Sequence, residues 1–168
     1  MIKTFRSTNQ QGFTIIELML TIALLGVVVA LALPSFSGTI ARNQVSSSAN
    51  TLVGAFNLAR VEATKLGAVV GIGSLGATTD WASGSRIWVD SDDDGVFDNG
   101  EQELRRFEAI NSALTLSGSL ASTRFDPRGF ASGGAITLTL CSAETDVEDR
   151  RVLIVLSGRV EVADFTCP

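Results

Sequence analysis

Histidine is absent from the 168 residues of this chain. Its absence excludes Ser-His and Cys-His catalysis, zinc sites of the HExxH type and the usual proton shuttle near neutral pH. Ser and Asp are plentiful, but no such base can be assembled around them. We therefore expect a protein that is not an enzyme.

Positive charge is scarce as well. The chain has 13 Lys and Arg against 18 Asp and Glu, which gives a formal net charge of −5. Binding to nucleic acid through the whole surface is disfavoured, because such binding requires basic side chains that neutralise phosphates. Hydrophobic residues make up 45% of the chain, which suits one ordered domain with apolar residues left over.

Charge is missing altogether from residue 18 to residue 41. The apolar part of this stretch, taken from Phe13, is about as long as the ~20 residues that cross a bilayer core as a helix. A secretory signal peptide is the alternative, because Ala30-Leu31-Ala32 imitates a signal peptidase site. Glu17 opposes it, since a carboxylate in an apolar segment costs roughly 2.5 to 3.5 kcal/mol on insertion scales and usually marks a function. We expect residues 13–40 to form a transmembrane and assembly helix.

A second helical pattern follows directly. Apolar residues recur at spacings of 3 and 4, which predicts an amphipathic helix over residues 41–67 with one buried stripe. The stripe consists of Val45, Ala49, Leu52, Phe56, Ala59, Ala63 and Leu66. Pro34 has no amide donor, so it predicts a kink or a local opening in the preceding helix.

The N-terminal residues resemble a known family. The string Gly12-Phe13-Thr14-Ile15-Ile16-Glu17-Leu18, after a short basic leader, resembles the class III signal of type IV pilins and type II secretion pseudopilins. The remainder resembles the GspH/FimT group of minor pilins and pseudopilins. The strings that carry this second likeness are Leu58-Ala59-Arg60-Val61-Glu62-Ala63, Asp126-Pro127-Arg128-Gly129 and Ser157-Gly158-Arg159.

The resemblance implies a processing route. Residues 1–12 would be a prepilin leader, and a prepilin peptidase would cut between Gly12 and Phe13 and methylate the new amino terminus of Phe13. The new ammonium group would meet the Glu17 carboxylate of a neighbouring subunit, which offsets the desolvation of both charges. Glu17 and Pro34 are thus the expected assembly residues.

The same resemblance implies location and partners. The protein would cross the inner membrane once, with its head (residues 41–168) in the periplasm, and then enter a cell-surface pilus or a periplasmic pseudopilus. Its partners would be other pilins or pseudopilins, bound through the N-terminal helix. The string Ala32-Leu33-Pro34-Ser35-Phe36 favours a minor pilin of a type IV pilus. A minor pseudopilin (H-type) of a type II secretion system is the alternative.

Residues 68–168 contain short apolar runs broken by Gly, Ser and Asp, which predict strands of an antiparallel, β-rich GspH-like domain. The predicted strands are residues 68–72, 86–89, 104–107, 114–116, 123–125, 135–141, 152–156 and 160–162. Ser157-Gly158 suits a tight hairpin turn, and residues 129–134 suit a longer loop. The stripe of the second helix needs a sheet to cover it. The predicted fold is α+β, a long N-terminal helix packed into an antiparallel head.

Cys141 and Cys167 are the two cysteines of the chain. Because pilin orientation would place the head in an oxidising periplasm, we expect a disulfide between them. Two buried free thiols are the alternative.

An acidic segment fits the calcium loop of EF-hands, with Gly95 at position 6 of 12. Its ligands would be Asp90, Asp92, Asp94, Asp98, Glu101 and the carbonyl of Val96. The flanking residues read as strands instead of the two helices of an EF-hand. The alternative is an acidic hairpin loop without a metal, similar to loops of this family. No cofactor is otherwise required.

DNA capture is the rival function from another class, since some FimT-like minor pilins capture DNA through basic residues near the C-terminus. Here Glu161 stands where a second arginine would follow Arg159. Arg150 and Arg151 are surrounded in sequence by acidic residues. We therefore expect a solvated, mixed-charge face and no DNA binding.

Overall fold

The computed structural model describes residues 12–144 and 147–167, with no side-chain description for residues 32–36. The first eleven residues of the predicted leader lie outside this range. The chain divides into two compact units, Met1–Ser37 and Gly38–Pro168. The predicted boundary between residues 40 and 41 stays a prediction.

A long helix precedes eight strands within the described residues, as predicted. Helix α1 is Ile15–Leu66. The strands are β1 (Val70–Ser74), β2 (Ser85–Val89), β3 (Glu103–Phe107), β4 (Leu114–Gly118), β5 (Ser122–Phe125), β6 (Ile136–Ser142), β7 (Asp149–Ile154) and β8 (Val160–Phe165). The α+β prediction is confirmed.

The first unit contains the start of α1. Thr14 caps the helix, because its Oγ1 accepts the backbone N–H of Glu17 at 3.2 Å. The backbone of residues 32–36 is helical, but the predicted effect of Pro34 falls outside the described side chains. No helical stretch among the described residues reaches the length and hydropathy that a membrane span requires.

The second unit buries one face of α1, from Ala41 to Ala63. Six of the seven predicted stripe residues are buried: Val45, Ala49, Leu52, Phe56, Ala59 and Ala63. Leu66 was wrongly predicted to be buried, because it is 46% exposed. It is the last residue of α1, and Gly67, at φ +64°, turns the chain immediately after it.

Two antiparallel sheets provide the rest of the core. Their strand orders are β3-β2-β1-β5 and β4-β6-β7-β8. Buried apolar residues of α1 and of both sheets form a single cluster. Trp81, in the β1–β2 connection, lies in this cluster with its ring 5.7 Å from that of Phe56, and its indole N–H donates to the Leu120 carbonyl at 2.9 Å.

The predicted tight turn at Ser157-Gly158 joins β7 to β8, and the predicted longer loop carries the chain from β5 in one sheet to β6 in the other. Gly158 has a φ of +76°. A Cβ atom there would also collide with the carbonyl oxygen of Gly129 in the longer loop. Glycine is therefore required where these two turns meet.

Candidate functional site

The N-terminal segment from Gly12 to Leu31 is exposed along its whole length. Phe13 is 79% and Leu31 74% exposed, and the apolar side chains between them are exposed on every side of the helix. Glu17 is the one charged side chain of this segment. The predicted cleavage junction, Gly12-Phe13, precedes the first helical residue, so its peptide bond is outside the helix.

Thr14 was missed by the sequence reasoning, although its spacing to Glu17 fits the pattern that places a capping hydroxyl three residues before a Glu. Because Glu17 lies in the first turn of α1, its negative charge also interacts favourably with the helix dipole. The Glu17 carboxylate thus lies at the end of the helix where a negative charge is favourable.

The acidic loop, residues 90–101, connects β2 to β3. These two strands pair antiparallel, so the predicted strand flanks are confirmed. Phe97 anchors the loop, since its ring lies 6.0 Å from the ring of Trp88 and 4.4 Å below the guanidinium of Arg86. The loop is therefore packed on the sheet at its centre.

Asp90 begins the loop and is the buried member of the acidic cluster. Its side chain has no exposed surface. Oδ2 accepts the backbone N–H of Gly95 at 3.0 Å, and Gly95 adopts φ +79° to make this turn. Oδ1 is buried and has no hydrogen-bond partner among the residues that the structure describes. One oxygen of a buried carboxylate is thus unsatisfied.

Asp92 and Asp94 lie beside Asp90. One carboxylate oxygen from each of the three residues lies within 4.8 Å of the other two. Asp94 also accepts the backbone N–H of Val96 at 2.7 Å. The structure therefore brings together three of the predicted ligands.

Glu101, predicted as the last ligand, closes the loop instead. Oε1 accepts the backbone N–H of Ser91 at 2.8 Å, and Oε2 accepts that of Asp98 at 3.0 Å. Both oxygens are thereby engaged with the loop backbone. Asp98 lies outside the group formed by Asp90, Asp92 and Asp94.

Arg124 of β5 is a cation beside this loop that the sequence reasoning missed. Its Nη1 donates to the carbonyl of Asp93 and, at 2.9 Å, to the carboxylate of the same residue. Its Nε lies 4.0 Å from Oδ2 of Asp90. No local signal could have found it, because Arg124 is separated from the loop by more than twenty residues of chain.

The pKa of the Asp90 carboxyl is raised, chiefly because burial disfavours its charged form. The negative charge of Glu101 raises this pKa further. The backbone amides of Gly95 and Asp94 and the charge of Arg124 oppose the shift without cancelling it. Burial, more than the neighbouring charges, therefore sets the direction of the shift at Asp90.

The predicted disulfide between Cys141 and Cys167 is present in the structure, with a Cα–Cα distance of 6.0 Å. It joins the end of β6 to the segment after β8. Asp149, which the sequence reasoning missed, supports the same region from β7. Its two oxygens accept the backbone N–H groups of Ser142 at 2.8 Å and of Cys167 at 2.9 Å.

Three arginines of the C-terminal region each pair with a carboxylate: Arg128 with Asp126, Arg150 with Asp164 and Arg159 with Glu161. Arg151 stacks its guanidinium 3.9 Å from the ring centre of Phe165. The described strands and turns of this region thus present a surface of mixed charge.

Two family models match the chain. The family described as type II transport protein GspH matches residues 48–158, and the prokaryotic N-terminal methylation motif matches residues 7–33. Pilin-like protein PilA1 of Thermus thermophilus is 33% identical over 125 residues, which cover 74% of this chain and 72% of that protein. Fimbrial protein EcpC of Eikenella corrodens is 37% identical over 79 residues, which cover 47% of this chain and only 39% of that protein.

Solved structures of similar fold include two minor subunits. The type IV minor pilin FimU of Pseudomonas aeruginosa is 25% identical, with a TM-score of 0.59 over 73% of this chain and 90% of that one. The minor pseudopilin EpsH of Vibrio cholerae is 16% identical and shares the fold, with a TM-score of 0.53 over 72% of this chain and 97% of that one. The chain therefore belongs to the GspH family and has the fold of type IV minor pilins and type II secretion minor pseudopilins.

Proposed function

We propose that this chain is a minor pilin: a structural subunit, not an enzyme, that is incorporated into a type IV pilus. Prepilin peptidase cuts it between Gly12 and Phe13 and methylates the new amino group of Phe13. The observation that carries the proposal is the exposed apolar segment from Phe13 to Leu31, interrupted by the single charge of Glu17. The methylation motif over residues 7–33 supports the processing step.

An exposed apolar segment of this length requires a cover. Burying apolar surface is worth about 25 cal/mol per Å², so a helix whose residues Ile15, Ile16 and Leu31 are more than 70% exposed is costly in water. Before assembly the inner membrane provides the cover, with the segment crossing it once and the head in the periplasm. After assembly the corresponding helices of neighbouring pilins replace the lipid.

Glu17 makes this replacement specific. A carboxylate among apolar helices is costly unless it is paired, and cleavage creates an ammonium group at Phe13, four residues away. Pairing between Glu17 of one subunit and Phe13 of its neighbour offsets both desolvation costs and fixes the axial register. Removal of the leader, which contains Lys3 and Arg6, also removes the charges that hold the precursor at the cytoplasmic face.

A minor pseudopilin of a type II secretion system is the second candidate function. The family description and the shared fold of EpsH favour it, whereas the higher identity of FimU and the similarity to PilA1 favour the pilus. Deleting the gene in the source organism separates the two. We expect loss of surface pili with secretion intact; loss of secretion with normal pili would identify a pseudopilin.

Replacement of Glu17 tests the assembly step. We expect the Glu17→Ala chain to be inserted and cleaved normally, because the substitution removes a desolvation cost, but to be depleted from sheared filaments at least tenfold. Thr21→Ala is the matched control, since Thr21 is an exposed polar residue one turn further along whose hydroxyl donates to the Leu18 carbonyl of its own helix. Wild-type amounts of Glu17→Ala subunit in sheared filaments would refute the role of this carboxylate.

A further inference from the structure

We propose that the loop from Asp90 to Glu101 binds one Ca²⁺ ion through the carboxylates of Asp90, Asp92 and Asp94. The preference for calcium rests on the proposed function, because a head exported from the cytoplasm is exposed to calcium-rich surroundings. The site itself rests on two independent observations: the grouping of three carboxylates, and a buried carboxylate oxygen without a partner.

The unpartnered oxygen is Oδ1 of Asp90. A buried polar atom without a hydrogen bond is costly, and such atoms are rare in folded proteins. The other oxygen of Asp90 is already occupied by the Gly95 amide at 3.0 Å, and Arg124 approaches that same oxygen to 4.0 Å. Neither group satisfies Oδ1, and the nearby Asp94 amide, which also lowers the pKa of this carboxyl, does not reach hydrogen-bond geometry at Oδ1. A cation bound at Oδ1 would compensate its burial directly.

The spacing of the three carboxylates suits Ca²⁺. Calcium binds oxygen ligands at about 2.3–2.6 Å, so two ligands on opposite sides of one ion lie about 4.6–5.2 Å apart. The three oxygens are all within 4.8 Å of one another, a spread that one such ion can bridge. Asp92 and Asp94 are exposed, which leaves further coordination positions open to water.

The rest of the loop forms a rigid frame for these ligands. Glu101 ties Ser91 to Asp98 through its two oxygens, and the hydroxyl of Ser122 donates to the Gly95 carbonyl at 2.7 Å. Glu101 is therefore a positioning residue in this arrangement. Because paired strands flank the loop, calcium would act as a fixed clip and not as a switch that opens helices. The Val96 carbonyl and Asp98 are the remaining candidate ligands of the loop.

Arg124 supports the competing interpretation, in which the loop is a solvated acidic hairpin with a cationic side chain as its counter-ion. Arg124 pairs with Asp93, which is outside the group of three carboxylates. Within residues 12–144 and 147–167, no ion pair joins Asp92 or Asp94 to a cationic side chain. The two interpretations predict different effects of replacing an aspartate on calcium binding. If the loop is a calcium site, replacing Asp92 should weaken binding far more than replacing Asp93. If the loop is a solvated acidic hairpin, the two replacements should have equal effects.

The test is calorimetric titration of CaCl₂ into the full chain in non-ionic detergent at physiological salt. We expect one site with a Kd on the order of 0.1–1 mM, in the range of extracellular calcium modules. Asp92→Asn should weaken binding at least tenfold, whereas the matched control Asp93→Asn, which removes an equal charge from the same loop, should change the Kd less than threefold. Asp92 is exposed, so its replacement leaves the packed core unchanged.

Thermal unfolding provides a second readout. A tenfold excess of calcium over the Kd should raise the Tm by about 3–6 °C, because ligand that binds only the folded state stabilises it by mass action. Magnesium should produce a smaller shift, since it requires near-octahedral geometry and gives up its water reluctantly. No calcium heat, or equal weakening by Asp92→Asn and Asp93→Asn, would overturn the inference. Because this assay needs no filament, its failure leaves the proposed pilus function untouched.

Discussion

The disulfide gives the clearest prediction of stability. Replacing both Cys141 and Cys167 by Ser opens a loop whose ends are 26 residues apart. In the chain-entropy model a loop of this length contributes about 3.5 kcal/mol at 25 °C by restricting the unfolded chain. The double variant should still fold, because Asp149 continues to accept the backbone N–H of residue 167 at 2.9 Å in the native head. We therefore expect the double variant to lose about 3.5 kcal/mol of unfolding free energy without loss of structure.

Urea unfolding followed by tryptophan fluorescence measures this loss. Both indole rings, Trp81 and Trp88, are buried in the head, at 1% and 2% exposure, so the signal reports unfolding of that unit. The oxidised wild type, the wild type in reductant and the double variant are compared in the same detergent. The reduced wild type and the double variant should share one urea midpoint, well below that of the oxidised wild type. Equal midpoints for all three would refute the stabilising role of the bridge.

Two further predictions concern the head. Phe56→Ala should cost about 3–5 kcal/mol in urea unfolding, because the ring is fully buried against Trp81 in the core, whereas Val61→Ala, on the exposed side of the same helix, should cost under about 0.5 kcal/mol. Asp126→Asn should lower the Tm at pH 7, because the backbone N–H of Phe130 and the guanidinium and backbone N–H of Arg128 hold the pKa of the Asp126 carboxyl below its ordinary value. A carboxyl whose pKa is lower in the folded than in the unfolded state stabilises the fold at pH values above the unfolded pKa, and this stabilisation is lost as the pH falls through the folded pKa. The Tm difference between wild type and variant should therefore shrink as the pH is lowered from 7 through the acidic range; a difference that stays constant throughout would contradict the assignment.

Much of the fold could be predicted from local patterns. The 3- and 4-residue spacing identified the buried face of α1 from Val45 to Ala63, and all eight predicted apolar runs overlap strands. These properties are local, because helix and strand periods depend on neighbours only a few residues apart. The wrong prediction that Leu66 is buried also comes from using local periodicity alone, since periodicity does not indicate where the covering sheets end.

The remainder depends on contacts between distant residues. The pairing of β1 with β5, which brings Arg124 to the acidic loop, joins segments about fifty residues apart, and no local pattern encodes it. Asp149 holds Ser142 and Cys167, a role that appears only once β6, β7 and the C-terminal segment are adjacent. Likewise, the acidic loop could be recognised from its template, but only the fold assigns Glu101 to the loop backbone.

The central claim is that this chain is a processed filament subunit, and mass spectrometry of protein from sheared filaments tests it most directly. We predict a mature chain that begins at Phe13 and carries one methyl group on its amino terminus. A chain with an intact Met1, one that begins at Leu33 after a signal peptidase cut, or its absence from filaments in which other pilins are present would contradict the account.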